Sequence, residues 1–130
     1  MIKRKVNKFE KMTGRRNKEG FIKITHQMFD NANYIQLSSS AKTVLLLFIR
    51  RYNGMNNGEI GVGIAEGAKL CNLSKNTFSK ASHELIDKGF IKVNNKGRFT
   101  YKLATTYILA FLNYNNNPPT NEWKEYKNAR

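Results

Sequence analysis

Between Ser74 and Lys88 the chain reads "SKNTFSKASHELIDK", and Lys75, Asn76, Thr77, Ser79, Lys80 and His83 fall outside its apolar stripe when the segment is wound as a helix. These side chains carry the hydrogen-bonding chemistry of base recognition. A Lys ammonium can donate to guanine O6 and N7, an Asn amide can pair with adenine N6 and N7, and Ser and Thr hydroxyls serve base edges or phosphates. The acids Glu84 and Asp87 come later, so positive charge gathers in the N-terminal half, where a helix's free N–H groups also favour phosphate. The same residue types also make an ordinary wet helix face. What separates the two readings is the surrounding chain.

That chain is basic: 23 Lys and Arg stand against 9 Asp and Glu, for a net charge of +14 and a pI near 10.1. A field of this sign attracts polyanions. The charge is uneven, with 9 bases and 2 acids in residues 1–23, 7 and 5 in 24–90, and 7 and 2 in 91–130. Lys92, Lys96, Arg98 and Lys102 come after the recognition segment, where a hairpin could touch the backbone or minor groove. Lys3, Arg4, Lys5, Arg15 and Arg16 sit in the N-terminal arm as further phosphate or minor-groove ligands. Membrane adsorption fits less well, because that arm offers only Ile2, Val6, Phe9 and Met12 for burial.

Residues 1–20 show no sustained period and read as a flexible basic arm; residues 21–112 read as one domain, and 113–130 as a tail with a short helix capped by Thr120. Phe21, Ile22 and Ile24 suggest a short strand or extended segment, with Met28, Phe29 and Tyr34 as apolar anchors. "LSSSAKTVLLLFIRRYNG" is the clearest helix, capped by Ser38 or Ser39 and stopped at Asn53-Gly54. Val44 to Ile49 is wholly apolar, which makes it the central core helix or in part a dimer surface. Ile60, Val62 and Ile64 alternate as a short strand would. A helix over Ile64–Cys71 comes next, then the segment after Ser74, then two strands around the turn "NNKG".

A sharp turn between the two central helices needs a small contact residue, a left-handed residue four positions later, and apolar flanks. Ala68, Asn72, and the pair Cys71 and Leu73 supply them. Phe78, Ala81 and Leu85 then point inward with Ile86 beside them, Ser74 caps the second helix and Gly89 ends it. Two residues depart from the pattern: Gly67, where a larger residue is usual, and Ser82 on the flank of the inner stripe.

With these features, "IAEGAKLCNLSKNTFSKASHELIDKGFIKV" resembles the winged helix-turn-helix superfamily of bacterial and phage regulators over about residues 37–111. The resemblance implies an α+β fold, a three-helix core with a small antiparallel β-sheet or wing. "AKTVLLLFIRRYNGMNNGEI", "LATTYILAF" and "PPTNEWKEY" look like small winged-helix proteins of plasmids and prophages. "FIKITHQMF", "LSSSAKTVLLL" and "KGFI" are similar to the N-terminal domain of plasmid replication initiators. These likenesses imply a duplex-DNA-binding protein, a transcriptional regulator or accessory replication factor of a bacterial mobile element, with homodimerisation left open. RNA binding, or a protein-interaction module such as a phage-encoded inhibitor of a host complex, is the alternative on the same fold. Phe99, Tyr101 and Tyr107 could stack on bases, though strand aromatics more often fill cores.

Other chemistry lacks its residues. One cysteine, Cys71, and two distant histidines, His26 and His83, give no metal-ligand spacing, and "NGMNNGEIGVG" lacks the Gly-Lys-Ser/Thr ending of a phosphate loop. The tyrosines have no accompanying His or Arg set, so no enzyme is expected; no small-molecule cofactor is evident, and the sequence leaves open whether an effector binds. No segment reaches ~18 uninterrupted apolar residues and the N-terminus has no signal-type apolar run, which points to a cytoplasmic, nucleoid-associated protein.

Overall fold

The computed structural model describes residues 20–95 and 105–125. The arm residues Lys3, Arg4, Lys5, Arg15 and Arg16 lie outside these, as do Lys96, Arg98, Lys102, Phe99, Tyr101 and Tyr126. Within them the architecture is α+β: helices α1 (His26–Phe29), α2 (Ala32–Ile35), α3 (Ser39–Arg51), α4 (Ile64–Cys71) and α5 (Lys75–Asp87), strands β1 (Ile91–Asn95) and β2 (Thr106–Leu109), and helix α6 (Glu122–Glu125).

Phe21 to Ile24 is extended without strand pairing, and it leads into two single-turn helices where the sequence pattern shows only apolar anchors. Each is started by a polar cap. Thr25 Oγ1 accepts from Met28 N at 3.1 Å and Asn31 Oδ1 from Asn33 N at 2.8 Å. Met28 and Tyr34 are buried, whereas Phe29 stays 58% exposed against the Tyr34 ring. Ser38 caps α3 by accepting from Ala41 N, and α3 buries Ala41, Val44, Leu45, Phe48 and Ile49 along one stripe. Its all-apolar middle still leaves Leu46 39% exposed. α3 packs on α5 and α4, and Val44, Leu45, Phe48, Leu85, Phe90, Ile91 and Leu109 form the innermost layer.

The strand expected at Ile60–Ile64 is reduced to a single bridge. Tyr107 N donates to Ile60 O at 2.8 Å and Gly58 N to Tyr107 O at 3.1 Å, after which the chain turns into α4. Ile60 and Val62 are buried as alternation requires, but Ile64 is 52% exposed because it already belongs to the helix. One side chain replaces much of the missing ladder: Asn57 Nδ2 donates to the carbonyls of Leu109, Leu112 and Asn113, and its Oδ1 accepts from Leu109 N at 2.7 Å. β1 and β2 pair antiparallel with Ile91 opposite Leu109 and Val93 opposite Tyr107, and the register slips between Val93 and Asn95.

The segment after residue 112, read as a tail, packs on the body through Trp123. Trp123 is 2% exposed and stacks on Phe90 with ring centroids 5.7 Å apart and planes 15° from parallel. Asn121 N donates to Ala110 O at 2.8 Å, and the Asn33 amide donates to Trp123 O. Gly89 makes this docking possible. It takes φ +80°, and a Cβ there would lie 2.9 Å from the Glu122 carbonyl carbon. Thr120 does not cap α6: its hydroxyl donates to Glu122 Oε2 at 2.6 Å instead.

Candidate nucleic-acid interface

The helix that carries the candidate side chains is positioned by the turn that precedes it. Asn72 adopts φ 55°, ψ 48°, the left-handed conformation expected of it. Leu73 N donates to Ala68 O at 2.8 Å and Asn72 N to Lys69 O at 3.2 Å, the paired bonds of a Schellman closure, with Leu73 half-buried beneath. The close helix contact is one residue earlier than expected. A Cβ on Gly67 would fall 2.2 Å from Phe78 Cζ and 2.5 Å from a neighbouring ring atom, so the ring of Phe78 lies directly on the α4 backbone. A Gly inside a short helix costs ~1 kcal/mol relative to Ala, and that cost was the signal in the sequence.

Ser74 starts α5 by accepting from Thr77 N at 3.1 Å, and donates its own hydroxyl to Thr77 Oγ1 at 2.8 Å. α5 then buries Phe78, Ala81, Ser82 and Leu85, and no acid lies in its first turn. Ser82 is 6% exposed and satisfied by donating to Phe78 O at 3.0 Å, which explains how a hydroxyl joins the inner face. A second Schellman closure ends the helix, Phe90 N to Leu85 O at 3.0 Å and Gly89 N to Ile86 O at 3.1 Å.

The residues expected at the interface divide in two. Lys75, Asn76 and Lys80 are exposed, and their side chains have no partner among the described residues. Thr77 and Ser79 are half-buried, Thr77 bonded to Ser74; the exposed His83 ring meets Ser79 O through Nδ1 at 2.8 Å. Lys92, its side chain 42% exposed, forms an ion pair with Glu122 that ties β1 to α6. Glu84 has a role that its sequence neighbours do not signal. Its two carboxylate oxygens accept from Ser38 N and Ser38 Oγ, both at 2.8 Å, so α5 completes the cap of α3 across 46 residues of sequence. Lys88 Nζ donates to Gln36 O at 3.3 Å nearby.

Of the 23 Lys and Arg, 13 lie in residues 1–19, 96–104 and 126–130, with only 2 of the 9 acids. Among the described residues Arg51 pairs with Glu66, Lys42 sits 5.4 Å from the Tyr34 ring, and Lys124 5.5 Å from that of Trp123. On α5, Lys75 and Lys80 have no acidic partner among the described residues. Cys71 is half-buried and burial pushes its thiol up, away from the thiolate a nucleophile or metal ligand requires. Among the described residues no cluster of His, Cys, Asp and Glu could hold a metal, and no helix is long and apolar enough to cross a membrane. Comparison with family models, curated proteins and solved structures found no match.

Proposed function

We propose that this chain is a winged helix-turn-helix protein that binds duplex DNA through the N-terminal half of α5, with the β1–β2 hairpin as its wing and the basic arm on phosphates. It would serve as a transcriptional regulator or accessory replication factor of a bacterial mobile element. The observation that carries this reading is the split along α5. Thr77, Ser82, His83 and Glu84 bond within the molecule, whereas Lys75, Asn76 and Lys80 extend from a capped helix start with no partner among the described residues. In this reading Lys92 steadies the hairpin base through Glu122, and Lys96, Arg98 and Lys102 supply the wing's phosphate contacts.

The test is selection of bound fragments from random duplex DNA, with titration of the enriched site against a scrambled one. The double substitution Lys75→Ala with Asn76→Ala removes the preference, by roughly 30-fold or more at ~1–3 kcal/mol per lost base contact, and leaves the melting temperature unchanged. Deleting residues 1–16 weakens all duplexes alike and flattens the dependence on salt. A palindromic site would add a two-fold dimer to the reading. Full preference in the double variant would refute the assignment of α5, and tighter binding to single-stranded RNA would refute duplex DNA as the ligand.

A further inference from the structure

A cleft of about 470 Å³ opens away from α5, between the Phe21–Met28 segment, the end of α3 and the chain from Phe111 to Lys124. That volume lies within the ~300–1,000 Å³ of small-ligand sites. Ile24, Met28, Ile49, Leu112 and Trp123 make its wall apolar. The polar lining is selective. Thr25 and Asn121 are already used, Thr25 Oγ1 by Met28 N and Asn121 Oδ1 by Trp123 Nε1 at 3.2 Å. The Lys23 ammonium, Gln27 amide and Tyr52 hydroxyl have no partner among the described residues, and Lys124 adds a second cation at the edge. No Asp or Glu among the described residues lines the cleft.

We infer that this cleft binds a small amphipathic carboxylate, its aryl or short alkyl part on the apolar wall and its charge between Lys23 and Lys124, with the Tyr52 hydroxyl as donor. Two lysines with no counter-carboxylate among the described lining residues select an anion, and the apolar wall selects against an inorganic one. The chain's own residues 1–19 are a poor occupant, since their 8 bases and 2 acids would meet cations of like sign. α5 contributes no residue to the lining, so binding in the cleft is measured separately from DNA binding by that helix.

Trp123 is the sole Trp of the chain and forms part of the wall, which makes its fluorescence a direct reporter. Titration of the full chain with phenylpropionate gives a saturable change, and the neutral amide, phenylpropionamide, binds roughly fivefold more weakly, as expected for two solvent-edge charge contacts. Lys23→Gln with Lys124→Gln lowers the affinity for the acid to that for the amide while the circular dichroism stays unchanged. Tyr52→Phe weakens the acid more than the amide. No saturable change at millimolar acid, equal affinity for acid and amide, or an undiminished preference in the double-Lys variant would each overturn the inference. So would binding that appears only after residues 1–16 are deleted, because the cleft would then be filled by its own chain.

Discussion

Gly67→Ala sets two well-characterised effects against each other. Ala is favoured over Gly inside a helix by ~0.5–1 kcal/mol, and on that ground the substitution stabilises α4. The new Cβ, however, would stand 2.2, 2.5 and 2.8 Å from three atoms of the Phe78 ring. Phe78 is 2% exposed and held by α5, so the ring can yield only by moving neighbours or by pushing the two helices apart. Overpacking of this kind costs ~1–3 kcal/mol, which leaves a net loss of about 0.5–2 kcal/mol. For a domain of this size that is a fall of roughly 2–8 °C in melting temperature. Urea unfolding monitored by Trp123 fluorescence measures it. A double-mutant cycle sharpens the result, because Phe78→Leu vacates the space the methyl needs: the pair together should be more stable than the sum of the single losses by at least ~0.5 kcal/mol. Gly67→Ala raising stability, or strict additivity with Phe78→Leu, would refute the close approach of α5 to the α4 backbone.

Glu84→Ala removes both bonds that the carboxylate makes to Ser38 and should lower stability by about 1–2 kcal/mol, whereas Asp87→Ala, an exposed acid one turn on with no such bond, should change little; thermal melts compare them. Trp123→Ala empties the stacking site on Phe90 and should cost about 3–5 kcal/mol, read by circular dichroism in urea since the fluorophore is lost; a loss below ~1 kcal/mol would mean that the C-terminal segment does not share the core. Glu122 titrates low: partial desolvation raises its carboxyl, but hydrogen bonds from Lys92 and Thr120 and the Lys92 charge outweigh this and hold it below the ordinary 4.5. A depressed folded pKa contributes stability that is present above the unfolded value and lost as pH falls through the folded one. Lys92→Ala should therefore flatten that acid limb of the stability–pH curve, and an unchanged limb would sever the Lys92–Glu122 link.

What was legible in the sequence was what short-range rules decide. The left-handed Asn72, a serine cap at 38 or 39, the Ser74 cap, the end of α5 at Gly89 and the inward set Phe78, Ala81 and Leu85 each depend on residues close by in sequence. What was not legible depends on partners far away in sequence. Nothing near Glu84 announces that it will reach Ser38, nothing near Asn57 announces three carbonyls more than fifty residues on, and the separation of "PPTNEWKEY" by an Asn-rich loop concealed the stacking of Trp123 on Phe90. The alternation of Ile60, Val62 and Ile64 was real as a burial pattern at its first two positions and failed at the third, because the helix start at Gly63 intervenes. Gly67 was visible as an irregularity, but helix propensity has no term for the ring that occupies the missing side chain's place. At the candidate interface the sequence supplied residue types, and it could not tell Lys75, which has no partner among the described residues, from Lys92, which pairs with Glu122.

The anchoring of α5 bears on how such a helix can change over generations. Its rear half is tied down by Glu84 to Ser38, by Leu85 and Phe90 in the closing turn, and by Lys88 to Gln36. Its front half depends on Ser74 and Phe78, and the exposed side chains at 75, 76 and 80 make no bond among the described residues. Substitutions at those positions carry almost no stability penalty, and substitutions behind them carry most of it. A lineage could therefore exchange one set of exposed side chains for another, step by step, without passing through an unfolded intermediate sequence. The geometry that holds the helix is inherited intact while its exposed surface is rewritten.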